Sequence, residues 1–199
     1  MTKITKLVAT AGLAALAAAD MPAYDGKLRT ADSDGRLDAY MAVPCPSSHA
    51  SFVETLGADG AIAVAWFCGE GEGQDLVSIL ISILPGGAAE GASFTAPQVV
   101  SQREGYSNQN PVLYFEPGAS TLHLLHNSQE ANANESTSTV WYLSAPAEAV
   151  AAGGGQWTKP VQVLPVPSSF VRNRVQLTLN GDWLLPMYYS NHTAAGRHV

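Results

Sequence analysis

The chain has 199 residues, of which 46% are hydrophobic and only 14% charged, and its net charge is -7 at neutral pH. An acidic balance without a basic patch excludes a nucleic-acid partner. Eighteen glycines and 12 prolines beside so few charges suit an all-β extracellular protein. Residues 1–19 have Lys3 and Lys6, an Ala/Leu-rich stretch from Leu7 to Ala18, and small residues before Asp20. They are expected to be a cleaved signal peptide, since the run is too short to span a bilayer comfortably; an uncleaved anchor is the alternative. Residues 20–44 show neither helical nor strand period and form a lead-in segment.

Three segments then share one plan: an apolar run, a Gly-bearing turn and a second apolar run. They are Ser51 to Phe67, Pro111 to His126 and Val175 to Tyr189, turning at Asp59-Gly60, Pro117-Gly118 and Asn180-Gly181. Each predicts a β-hairpin. Two further segments repeat between them, Gly91 to Val100 and Gly154 to Val163, sharing Gly, an aromatic, Thr, Pro and a closing Val. The spacing is roughly 60 residues, enough for one four-stranded sheet with its loops, and suggests propeller blades; chance likeness of short β-rich segments is the alternative. The run Leu76 to Ile83 alternates little and predicts a strand buried on both faces.

Secretion would give the two cysteines a use. Cys45 precedes the first strand of the first hairpin and Cys68 follows the second, so antiparallel pairing brings them to one end, where a disulfide is expected; two buried thiols are the alternative. Asn134-Glu-Ser136 and Asn191-His-Thr193 are candidate N-glycosylation sites of the same compartment. No metal site or cofactor is expected. Of the five histidines only His123 and His126 are close, and a spacing of three on a strand turns them to opposite faces. Neither a phosphate loop nor a Gly-x-Ser-x-Gly elbow is present.

His49-Ala-Ser-Phe-Val, Ala65-Trp-Phe-Cys-Gly-Glu-Gly-Glu-Gly-Gln-Asp75, Asn110-Pro-Val-Leu-Tyr114, Leu122-His-Leu-Leu-His-Asn-Ser-Gln129 and Phe170-Val-Arg-Asn-Arg174, followed by Asn180-Gly-Asp-Trp-Leu-Leu-Pro186, resemble the sialidase-like, BNR-repeat (Asp-box) family. On this resemblance the two Gly-aromatic-Thr-Pro segments are similar to degenerate Asp boxes. It implies a six-bladed β-propeller with a glycan pocket on its axis, of which residues 45–199 hold about three units. A shortfall of that kind is expected of a fragment. Open sheet edges would then favour self-association.

The same plan places the site. Residues just before the first strand and just after the second share an end of each hairpin, so His49 meets Glu70, Glu72 and Asp75, Asn110 meets His126 and Asn127, and Arg172, Asn173 and Arg174 approach Tyr188, Tyr189 and His192. Radial blades would converge these ends on the axis. His49, Glu72 and Asp75 are the candidate catalytic residues; Asn110, His126, Arg172, Asn173, Arg174 and Tyr188 are candidates for holding substrate. Arg172 is favoured because a guanidinium fork matches a carboxylate bidentately. Sialidases generally start their first blade with an Arg-Ile-Pro motif, and His49 stands in that position here. The expected activity is therefore a secreted, sialidase-like exo-glycosidase acting on acidic sugars, with sialic acid one possibility among them. A non-catalytic glycan-binding propeller is the alternative.

Overall fold

The structure, a computed structural model, describes residues 23–31, 34–57 and 59–190. The expected signal peptide, Asn191, His192 and His198 lie outside the described residues. Strands β1 (Arg29–Thr30) and β2 (Leu37–Asp38) form a small hairpin in the lead-in.

Two four-stranded antiparallel sheets follow, each a meander in chain order. The first contains β3 (Ser47–Leu56), β4 (Ala61–Gly69), β5 (Ser78–Leu84) and β6 (Gln98–Ser101). The second contains β7 (Tyr106–Glu116), β8 (Thr121–Glu130), β9 (Thr139–Pro146) and β10 (Val161–Leu164), with a short helix α1 (Ala147–Ala151) after β9. A third hairpin comes in two pieces: β11 (Ser169–Val171) pairs with β14 (Met187–Tyr189), and β12 (Gln176–Leu177) with β13 (Trp183–Leu184). The chain is all-β in the sense expected, and none of the sheets closes on itself.

Alternation explains how the sheets stack. Ala61, Ala63, Ala65 and Phe67 of β4 point to one face and meet Leu113, Leu122, Leu124 and Leu143 of the second sheet in one buried core. The opposite face of the second sheet presents Val112, Tyr114, Leu125 and Val140 to Val171 and Val175 of the third hairpin. All seven residues of β5 are buried, as a run without alternation requires. Its outer face, with Trp66 and Cys68 of β4, is covered by Met41 and Cys45 of the lead-in.

The repeated Gly-aromatic-Thr-Pro segments prove to be fasteners ahead of the outermost strands. Thr95 donates its N–H to the Ile83 carbonyl and accepts the Ile83 N–H at its hydroxyl; Thr158 does the same with Ser144.

The hairpins begin earlier than their apolar runs. Asn110-Pro111 lies inside β7, where the register jumps between Gln109 and Val112 and Asn110 takes φ 49°. The same bulge occurs in β3 between His49 and Phe52, with Ala50 at φ 55°. Asparagine accepts that left-handed conformation readily, whereas alanine adopts it at a cost of roughly 1 kcal/mol. In the third hairpin the interruption spans Arg172 to Val175. Pairing there starts at Ser169, six residues before the expected Val175, because β11 packs on β7, β8 and β9 and so takes the place β7 has against β3, β4 and β5.

Candidate functional site

The three bulged or interrupted stretches of β3, β7 and β11 carry most of the expected site residues. At the first, His49 is paired with Phe67 and its ring sits edge-on to the Phe67 ring, with centroids 4.2 Å apart. Its Nε2 lies 3.1 Å from Glu72 Oε2, and both side chains are about half exposed. Glu72 arrives there because β4 ends at Gly69, where an added Cβ would come within 2.7 Å of Val77, and the acidic loop folds back over β3. The Cys45–Cys68 disulfide, with Cα atoms 5.8 Å apart, ties the segment entering β3 to the end of β4 and so fixes the two arms that hold this pair.

Tyr188 lies on β14 opposite Phe170, and the two rings stack with centroids 5.0 Å apart. Burial raises the Tyr188 phenol above its ordinary pKa; Glu135 and Glu72 act in the same direction, while Arg172 and the Asn110 amide favour the ionised form. Four groups from separate parts of the chain therefore act on one phenol. At neutral pH Tyr188 is uncharged and able to donate a hydrogen bond. Arg172 is exposed and makes no ion pair among the described residues, which leaves its guanidinium edge open to an anion. Asn110 is buried within the bulge.

Glu135 belongs to this neighbourhood and sequence reasoning did not single it out. It opens a short 3-10 turn between β8 and β9, and its Oε2 accepts a hydrogen bond of 2.9 Å from the Ser190 hydroxyl. Its only sequence signal was its place inside the Asn134 sequon. Asn134 itself is exposed and caps that turn through its side-chain oxygen, which accepts the Ser136 N–H.

Other expected members are engaged elsewhere. Asp75 Oδ1 accepts the N–H groups of Leu76 and Gly105, at 2.8 and 2.7 Å, and so fastens the acidic loop to the turn before β7. Arg174 reaches back across to β3, where it meets Glu54 Oε1 at 3.2 Å and the Val53 carbonyl at 3.3 Å. Glu54 is buried, and the loss of water raises its pKa against the pull of Arg174. Asn173 is exposed beside these two arginines.

His126 is not brought to Tyr188. Its side chain points to the opposite face of the second sheet, where Nε2 is 2.9 Å from the Ser101 hydroxyl of β6 and Nδ1 is 2.9 Å from the Asn127 carbonyl. The carbonyl accepts only, so Nδ1 carries the proton and Nε2 accepts from Ser101. Full burial lowers its pKa to about 4. Its neighbour Asn127 has the role toward the third hairpin instead: its amide donates to the Ser169 carbonyl and its oxygen accepts the Val171 N–H. His123 faces the same side as Asn127, between Tyr142, Glu116 and Trp183, so the two histidines are on opposite faces as the strand period requires.

A cleft of about 940 Å³ opens at the far, turn end between the two sheets, lined by Leu56, Phe115, Pro117, Ala147 and Ala151 with Asp59 and Glu148 at its rim. It is remote from the polar ends of β3, β7 and β11, and its lining holds no arginine for a sugar carboxylate. Among the described residues no group of three His, Cys, Asp or Glu side chains is placed to hold a metal. No helix among them is long and apolar enough to cross a membrane.

No curated protein matches the chain significantly. The profile of the BNR repeat-like domain matches residues 60–199, from the first hairpin turn through both repeated sheets and the third hairpin. The chain belongs to the BNR repeat-like domain family.

Proposed function

We propose that the chain carries part of the sugar site of a sialidase-like glycoside hydrolase for acidic sugars, secreted and built on a six-bladed propeller. The observation that carries this reading is the gathering of the His49–Glu72 pair, Asn110, Arg172 and Tyr188 at one end of the inner strands. Arg172 supplies the fixed positive charge for a sugar carboxylate. His49, held by Glu72 at 3.1 Å, is suited to move a proton to or from a glycosidic oxygen. Tyr188, as a neutral phenol, donates a hydrogen bond to the same substrate. Asp75 contributes by holding the loop that carries Glu72.

Fluorogenic sialoside and uronide substrates test this directly. Turnover is expected, with His49→Ala lowering kcat by about 100-fold and Arg172→Ala raising KM by about 10-fold or more. Saturable binding of the same glycans without turnover would support the other reading, a non-catalytic glycan-binding protein that uses the same Arg172 and Asn110. Neither binding nor turnover would sink both.

A further inference from the structure

His126 lines a second cavity, unrelated to the Tyr188 cluster. It lies in the seam between the first two sheets, holds about 190 Å³, and is bounded by Ser101, Asn108, His126, Ser128 and Trp141 with Arg103 at its edge. Most of the polar groups there are settled: the Asn108 amide donates to the Ser101 hydroxyl, which in turn donates to His126. Two are not. Asn108 Oδ1 and Ser128 Oγ have no hydrogen-bond partner, although Asn108 is 1% exposed and Ser128 is 2% exposed. Natural proteins rarely leave buried oxygens unpaired, because each forfeits the hydrogen bond it made to water. Two beside one cavity ask for an occupant.

The chemistry of the wall narrows what fits. Asn108 Oδ1 only accepts, Arg103 only donates, and Ser128 does either, so the occupant must present both donors and acceptors within a few ångströms. Hydroxyl groups on adjacent carbons do this in the smallest space. The remaining wall is Gln102, the half-buried Trp141 and the exposed Pro160, and the last two suit the C–H face of a ring. Arg103 stacks over Tyr106 at 3.4 Å and over Trp141 at 4.9 Å, and it makes no ion pair among the described residues, so its guanidinium edge is left for the ligand. Pockets for drug-sized ligands start at about 300 Å³. A cavity of 190 Å³ therefore admits one small ring.

We propose that this seam is a binding site for a single sugar-sized polyol, with vicinal hydroxyls on Asn108 and Ser128 and the ring over Trp141. The site is separate from the Tyr188 cluster, being on the opposite face of the second sheet, and stands whether or not that cluster hydrolyses anything. An uncharged sugar and a uronate share the hydroxyl chemistry, and Arg103 distinguishes them.

Heteronuclear NMR on the full chain, titrated separately with D-glucose and D-glucuronate, reads the outcome. Saturable shifts are expected at the Trp141 indole N–H and the Asn108 and Ser128 amides. Ser128→Ala should weaken binding of both probes by about 5-fold, the worth of one neutral hydrogen bond. Arg103→Ala should weaken glucuronate by about 10-fold and glucose much less. Arg172→Ala, at the other cluster, should leave these shifts unchanged. Should Ser128→Ala not fold, Ser128→Thr keeps the hydroxyl and narrows the cavity, and is expected to abolish the shifts. Shifts that do not saturate with either probe, or a Ser128 variant that binds like the parent, would mean that the cavity holds water only, for which about six molecules at about 30 Å³ each have room, and would overturn the proposal.

Discussion

The second strand of the second sheet and its counterpart in the third hairpin share a plan and differ in fate. In β8, Leu122 and Leu124 are fully buried; in β13 and β14, Leu184 is 58% exposed and Tyr189 57%. Both strands follow a Gly-bearing turn, and both hairpins lean an inner strand on the preceding sheet. What β8 has in addition is β9 at its side and the first sheet across its face. The third hairpin does seat one face, since Trp183 meets the Tyr114 and His123 rings at 4.8 and 4.5 Å. Its other residues, Leu177, Leu184, Met187 and Tyr189, have no covering layer among the described residues. A hairpin is thus specified locally, whereas its burial is supplied by strands three and four, and an uncovered one leaves apolar surface and free backbone groups for a partner strand.

Paired truncations are the sharpest way to break that contrast. Leu124→Ala opens a void in the core shared by the two sheets and is expected to cost about 3 kcal/mol of unfolding free energy. Leu184→Ala removes exposed surface and should stay within about 0.5 kcal/mol. Denaturant midpoints of the two variants decide it. An equal loss would show that the third hairpin is covered in solution, by a further strand or a second copy.

Acid sharpens it next, because His126 sits in the seam that only the completed sheets have. Its folded pKa of about 4 lies below the unfolded value of 6.5. Between these limits the unfolded chain takes up a proton that the folded chain refuses, so stability falls as pH drops from 6.5 to 4, by about 3 kcal/mol over the whole window. His126→Gln, compared with the parent at each pH, should remove most of that slope; His123, also shifted down by burial, leaves a remainder. An unchanged slope would mean that the seam admits water and the imidazole titrates in place.

The sequence carried the repeat well because its signals are local. Turn glycines between apolar runs located all three hairpins, and antiparallel pairing brought Cys45 and Cys68 together. The bulges were less legible. Asn110 before a proline looked like the start of a strand, yet it lies within β7, because a left-handed asparagine lets the pairing continue on both sides. Ala50 gives no warning of the same conformation. The position of His126 depended on which face of β8 it took, and a bulge in the partner strand makes that parity hard to count from sequence. Glu135 comes near Tyr188 only through the path of the third hairpin, a long-range fact with no local mark.

The smallest effect tests whether the two degenerate boxes do the same work. Thr95 and Thr158 each close a two-bond clasp with the neighbouring strand, and in both the hydroxyl accepts a backbone N–H at 3.0 Å. The surroundings differ: Ile83, the donor to Thr95, is buried at 3% exposure, while Ser144, the donor to Thr158, is only partly covered. Replacing either threonine by valine keeps the shape and removes the acceptor. In the first sheet the Ile83 N–H is then stranded away from water, and the loss should be about 1–2 kcal/mol. In the second, water can take the place of the Thr158 hydroxyl, and the loss should be nearer 0.5 kcal/mol. Thermal unfolding of Thr95→Val beside Thr158→Val checks the order. If the order reverses, the clasp contributes through strand alignment rather than through burial of the N–H it satisfies, and the outer strand of the second sheet depends on its box more than that of the first.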